Sequence, residues 1–302
     1  MCENVNGKVN KKIISDVNSD VNSDMNLYGN LDKRSPVGVF DSGVGGLTVV
    51  REIMRQLPNE MMVYFGDTAR VPYGSKSKKT IIKYSRQIIN FLKTKNVKAI
   101  VVACNTASAL ALDEIKDEID IPIIGVVKPG AKMAAAYSKN KRVGVIATEA
   151  TINSDMYKDV IRSYDKDIKV FGKACPLFVP LVEEGWTKDP VTYEVARRYL
   201  KDMKDKDIDT LVLGCTHYPL LRKLVGEVMG DKVTLVNPAY ETAVSLGKML
   251  EKYGLLSDND NSYKGGMYEF YVSDAATKFK DFANSILPFR IDDIDEISIE
   301  KY

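Results

Sequence analysis

The chain predicts an α/β fold of two similar doubly wound lobes, with mainly parallel sheets and an active-site cleft between the lobes. Three observations carry this expectation. Short runs of Val, Ile and Leu alternate with stretches of helical apolar spacing, the pattern of a parallel sheet covered on both faces. The pattern starts twice: Arg142-Val143-Gly144-Val145-Ile146-Ala147-Thr148 resembles Pro36-Val37-Gly38-Val39-Phe40-Asp41-Ser42. Two apolar runs end alike, Ala99 to Ala103 leading into Cys104-Asn105-Thr106 and Thr210 to Gly214 leading into Cys215-Thr216-His217. The two glycine-bearing strands and the two cysteine strands repeat at nearly the same spacing, as two related lobes would.

Residues 1–34 are expected to be a disordered N-terminal extension. The segment from Ser15 to Asn26 repeats Ser, Asp, Asn and one apolar residue, and has too few large apolar side chains to offset the entropy of ordering. Val37 to Phe40 reads as a buried strand. Gly43-Val44-Gly45-Gly46 is a turn, and Leu47 to Gln56 has helical spacing. Met61 to Phe65 is the next strand. Thr80 to Leu92 is a helix burying Ile81, Ile82, Tyr84, Ile88, Ile89 and Leu92. The Ala99 strand follows, then a helix from Ala107 to about Glu118, then a strand from Ile123 to Val127. The first lobe spans about 35–127. The second, 128–238, begins again with the Arg142 strand.

Composition narrows the class. The chain has 302 residues, 45% of them hydrophobic, and a net charge of +2. That balance gives no reason to expect nucleic acid or an anionic membrane as partner. No run approaches the roughly 18 apolar residues of a membrane span. Residues Met1 to Asn6 lack the apolar core of a secretory signal, so a cytoplasmic location is expected. The four cysteines, Cys2, Cys104, Cys175 and Cys215, are then free thiols by default. With no Cys-x-x-Cys and a single histidine, His217, no metal site is expected.

The strand-end motifs carry the chemistry. Asp41-Ser42-Gly43-Val44-Gly45-Gly46-Leu47 fits neither a dinucleotide fingerprint, because Thr48 stands where the third glycine belongs, nor a Walker loop. Its backbone N–H groups could receive a carboxylate. Asp41 serves equally well as a helix cap, and both readings stand. Pro72-Tyr73-Gly74 is an anion-binding loop or simply a turn. Cys175, before Pro176, reads as a small buried hydrophobe. Cys104 and Cys215 differ, since each precedes polar groups near an expected helix start that would lower its thiol pKa. His217, beside a strand-end cysteine, is placed as a proton-transfer partner. Glu183 and Glu184 follow an apolar helix-like segment and would otherwise read as a solvated helix end.

Four segments in this order, Asp41-Ser42-Gly43-x-Gly45-Gly46-Leu47, Phe65-Gly66-Asp67-x-x-Arg70-x-Pro72-Tyr73-Gly74, Cys104-Asn105-Thr106-Ala107-Ser108 and Gly214-Cys215-Thr216-His217-Tyr218-Pro219-Leu220, resemble the motif set of the glutamate racemases. The resemblance runs from about Pro36 towards the C-terminus. It implies cofactor-free interconversion of L- and D-glutamate, supplying D-glutamate for peptidoglycan. It implies Cys104 and Cys215 as paired acid/base groups, with Asp41 assisting Cys104 and with His217 and Glu183 assisting Cys215. It implies substrate contacts from Asp41, Ser42, Pro72, Tyr73, Gly74, Asn105, Thr106, Thr216 and His217, with Thr148 and Thr151 at weaker matching positions. It also implies that 239–302 pack back on the first lobe, and it leaves a homodimer open. The residues suit this chemistry: inverting Cα requires a proton to leave one face and another to arrive at the opposite face. An aspartate racemase, a non-catalytic binding module and a thiol redox protein are the competing readings.

Overall fold

The computed structural model describes residues 28, 30–258 and 267–302. Its strands are β1 (Val37–Asp41), β2 (Met62–Gly66), β3 (Ala99–Val102), β4 (Ile123–Gly125), β5 (Arg142–Ala147), β6 (Lys169–Ala174), β7 (Thr210–Gly214), β8 (Thr234–Val236), β9 (Tyr268–Val272) and β10 (Asp295–Glu296). They form a six-stranded sheet, β10-β9-β2-β1-β3-β4, and a four-stranded sheet, β6-β5-β7-β8. Every strand pair is parallel. The expected fold class is thus borne out, and the order β2-β1-β3-β4 recurs as β6-β5-β7-β8. In each sheet the order reverses beside the first strand, so the crevice at the switch point opens beyond the carboxyl ends of β1 and β3, and of β5 and β7.

The central strands β1, β2, β3 and β7 are buried along their whole length, which is why they read as continuous apolar runs rather than alternating ones. Helices cover both faces. Leu47–Gln56 buries Leu47, Val49, Val50 and Ile53 on one face of the first sheet. Lys78–Thr94 buries Ile81, Ile88, Ile89, Phe91 and Leu92 on the other. The Ser77 side chain caps the second of these by accepting the Thr80 N–H at 3.3 Å. The helix Pro238–Lys252 packs against both Leu47–Gln56 and Val127–Tyr137, and so bridges the two halves.

Local expectations needed correction in several places. The strand expected over Ile123–Val127 stops at Gly125, and a helix runs from Val127 to Tyr137. The reason is that the Val126 N–H is taken by Ser108 Oγ at 3.2 Å instead of a neighbouring strand. The helix expected from Ala107 begins at Asn105, breaks at Ala111 and finishes as short turns through Glu118. The expected disorder of 1–34 concerns, for residues 1–27 and 29, positions outside the described residues. Within 28 and 30–34, however, Tyr28 and Leu31 are partly buried, while residues 30 and 32–34 are exposed. Tyr28 lies edge-on against Tyr253 at 4.8 Å, and Leu31 packs on the first-lobe core.

A buried ion pair secures that junction. Lys98 Nζ lies 2.6 Å from Glu60 Oε2, with side-chain exposures of 0% and 1%. Lys98 also donates to the Lys33 carbonyl at 2.5 Å, and Glu60 Oε1 accepts the Ser257 N–H at 2.8 Å. Removing one partner strands the other charge in the core, so Lys98→Met is expected to lower unfolding free energy by about 3–5 kcal/mol. Denaturant unfolding with an unchanged slope checks it; a loss below about 1 kcal/mol would remove this pair from the account.

Candidate active site

Cys104 follows β3 and stands at the N-cap position of the helix Asn105–Leu110, with no capping bond from its side chain. Cys215 follows β7 and precedes a tight turn, Tyr218–Leu221, rather than a regular helix, with Pro219 in that turn's first positions. The two thiols therefore come from equivalent strand ends of opposite sheets. Both line one cavity of about 420 Å³. Ser42, Pro72, Tyr73, Gly74, Asn105 and Thr106 line it from the first lobe. Thr148, Glu183, Thr216 and His217 line it from the second. A larger cavity of about 750 Å³ adjoins it through Gly43, Val71 and Glu183 but contains neither cysteine.

The two cysteines have different surroundings. Cys104 Sγ donates towards Ser42 Oγ at 3.6 Å. Burial, reinforced by the negative charge of Asp41, pushes its thiol up to about 12. This reverses the expectation that a helix start would lower it: the six-residue helix and the Ser42 hydroxyl do not offset the loss of water around Sγ. Cys215 Sγ lies 3.7 Å from His217 Nδ1, and His217 Nε2 lies 3.0 Å from Glu183 Oε1. Burial works against a charged imidazole here. The bonds to Cys215 and Glu183 outweigh it and push His217 up to about 10. Glu183 is correspondingly held low: burial raises it, but His217 and then Lys278 pull it further down.

The helix Leu47–Gln56 has Gly46 at its N-cap with no side-chain cap, and the turn before it is held by Asp41. Asp41 Oδ2 accepts the N–H groups of Gly43 at 3.1 Å and Gly46 at 3.0 Å, so the loop's donors face this side chain. It is fully buried, does not line the cavity, and its Oδ1 has no hydrogen-bond partner among the described residues. A Cβ on Gly46 would stand 2.4 Å from Asp41 Cβ, which is why glycine occupies that position. Thr151 also stands behind the wall. It is 1% exposed, and its hydroxyl meets Thr148 at 3.0 Å and Thr106 at 3.3 Å, with Thr106 and Thr148 themselves 3.0 Å apart.

The Pro72-Tyr73-Gly74 loop is held from behind. Tyr73 donates its phenol to Asp67, which also accepts Arg70 Nε at 2.8 Å and Ser273 Oγ at 2.9 Å. Cys175 is buried in the second-lobe core and takes no part in the cavity. Ser75, Glu149, Pro176, Val179 and Pro180 also line the cavity, and the sequence reading assigns them no role. Pro176 follows a strand end as the cysteines do, and that was the available signal for it. Among the described residues no lysine or arginine lines the cavity, so anionic groups of a ligand would meet hydroxyls, amides, backbone N–H groups and the His217 imidazolium. Among the described residues no cluster of three or more His, Cys, Asp or Glu is arranged to hold a metal, and no helix is long and apolar enough to cross a membrane.

Residues 37–246 match the family model described as Asp/Glu/Hydantoin racemase. The chain is 47% identical over 264 residues to the glutamate racemase of Geobacter metallireducens, covering 87% of this chain and 97% of that one. A Bacillus anthracis glutamate racemase structure superposes with a TM-score of 0.84 at 39% identity, covering 88% of this chain and 98% of the other. The Francisella tularensis glutamate racemase, solved with D-glutamate, superposes with a TM-score of 0.82 at 39% identity, covering 89% and 100%.

Proposed function

The chain belongs to the Asp/Glu/Hydantoin racemase family, among its glutamate racemases, and from that premise we propose that it interconverts L- and D-glutamate by two-cysteine proton transfer at Cα. The observation that carries this reading is that Cys104 and Cys215 line one cavity from opposite lobes. A substrate between them offers one face of Cα to each sulfur.

Turnover needs one thiolate and one thiol. Cys104, pushed up to about 12, is the thiol of the resting enzyme. His217, held protonated by Glu183, is the cation that stabilises a thiolate at Cys215. When a substrate presents its Cα hydrogen to Cys215, that sulfur takes the proton and the electron pair stays on Cα, delocalised into the α-carboxylate. Cys104 then gives its own proton to the opposite face and becomes the thiolate. The other enantiomer runs the same steps in reverse. Asp41, buried beside Ser42 with a free Oδ1, is the group that returns or removes the Cys104 proton between turnovers. The hydroxyls of Ser42, Thr106, Thr148 and Thr216, with the Asn105 amide, hold the substrate's charged ends. D-Glutamate made in this way would serve peptidoglycan synthesis in the cytoplasm.

The test is incubation of cofactor-free protein with L-glutamate in deuterated water under reducing conditions. D-Glutamate carrying deuterium at Cα is the expected product. Absence of Cα exchange would overturn the reading, and faster turnover of L-aspartate would transfer it to an aspartate racemase.

A further inference from the structure

Two hydrogen bonds cross the cleft in opposite directions. Thr48, on the first-lobe helix Leu47–Gln56, directs its one hydroxyl proton to the Thr216 carbonyl at 2.8 Å, the nearer of two acceptors, the other being the Gly45 carbonyl of its own turn at 3.0 Å. Tyr157, on the second-lobe helix Met156–Tyr164, donates its phenol to Asn105 Oδ1 at 2.7 Å. Each bond ends on the residue immediately after one of the paired cysteines. Both donors are buried, and neither lines the cavity. We infer that Thr48 and Tyr157 are positioning residues for racemisation, each lobe aligning the cysteine segment of the other. The inference rests on the two-cysteine reading above.

The two bonds act on different parts of the reaction. Thr48 fixes the backbone that carries both Cys215 and His217. The first lobe also meets this turn directly: a Cβ on Gly45 would lie 2.3 Å from Thr216 Oγ1 and 2.5 Å from His217 Nδ1. The position of the Cys215 sulfur is thus referred to the lobe that carries Cys104, and the span between the two sulfurs does not depend on the second lobe alone. Proton transfer tolerates little error in that span, since a misplacement of about 1 Å costs about a hundredfold in rate. Tyr157 acts on binding. By donating into Oδ1 it turns the Asn105 amide so that Nδ2, which only donates, remains for the ligand. A carboxylate needs such a donor and would be repelled by the amide oxygen. Tyr157 therefore selects the amide orientation that an anionic amino acid requires.

The experiment compares Thr48→Val, Thr48→Ser and Tyr157→Phe in the full chain. Steady-state racemisation is followed from both enantiomers, and alkylation of each cysteine by iodoacetamide is followed by mass spectrometry. Thr48→Val is expected to lower kcat about tenfold or more with KM nearly unchanged, and to change the alkylation rate of Cys215 by about threefold or more. Thr48→Ser keeps the donor and restores both. Tyr157→Phe is expected to raise KM about tenfold for both enantiomers with kcat nearly unchanged. Wild-type kinetics in the Val and Phe variants would overturn the inference. So would a uniform loss of kcat and KM that tracks a lowered Tm and is not rescued by serine. A wild-type chain inert towards glutamate would sink the two-cysteine reading instead. In that case the Cys215 alkylation rate still decides for or against positioning by Thr48.

Discussion

Cys104→Ala and Cys215→Ala are each expected to reduce racemisation by about 10³-fold or more, because general acid–base transfer contributes about 10²–10⁴ and each face of Cα has one sulfur. The double variant should fall to nearly the same residual rate, since groups that act as a unit are strongly non-additive. The single variants make a sharper prediction in deuterated water. Each retains one sulfur, which can take the Cα proton from one face and return a solvent deuteron to that same face. Cys104→Ala should therefore exchange Cα of one enantiomer without inverting it, and Cys215→Ala should exchange only the other. Both side chains are small and nearly buried, at 5% and 7% exposure, so truncation leaves little cavity. Racemisation within about tenfold of wild type by either variant would end the two-sulfur account.

The single histidine is expected to titrate near 10 rather than at the ordinary value of about 6.5, and Glu183→Gln is expected to bring it down. Burial opposes the imidazolium, and the bonds to Cys215 and Glu183 are the main supports that keep it charged. Neutralising Glu183 removes one of those supports, so the proton leaves at lower pH, by about one unit or more. The basic limb of kcat should move in the same direction. His217→Asn removes the cation altogether, and kcat should fall by about a hundredfold. Because the chain has one histidine, its imidazole resonances need no assignment, and NMR titration reads the shift directly. Stability follows the same sign. The folded-state value lies above the unfolded one, so the contribution is complete below about 6.5 and is lost as pH rises through about 10. A wild-type titration near 6.5, or an upward shift in Glu183→Gln, would contradict this arrangement.

Much of the fold is written in local pattern. The buried strands β1, β2, β3 and β7 are continuous apolar runs because helices cover both faces of each sheet, and a run bounded by small residues is visible without any partner. Elements whose ends depend on a distant group were less visible. β4 stops at Gly125 because Ser108 takes the Val126 N–H, and nothing in Ile123 to Val127 announces it. Tyr28 and Leu31 fall within a polar extension by composition, yet they find Tyr253 and the first-lobe core. The cavity shows the same division. Asn105 and Thr216 follow the strand-end cysteines and could be named from position, Ser42 and Thr148 were named by the family resemblance, and Thr48 and Tyr157 look like ordinary helix residues.

The amino-acid order alone specified two similar doubly wound lobes, two thiols at matching strand ends, and the polar residues that follow them. These are properties of short segments, set by side-chain periodicity and by where a strand must stop. The folded molecule added the inequality of the two thiols. Cys104 is pushed up by burial and by Asp41, while Cys215 stands beside a histidine kept charged by Glu183. Burial, and the approach of Asp41 to Cys104 and of Glu183 to His217, join residues dozens of positions apart in the chain, so no local pattern contains them until each lobe has folded.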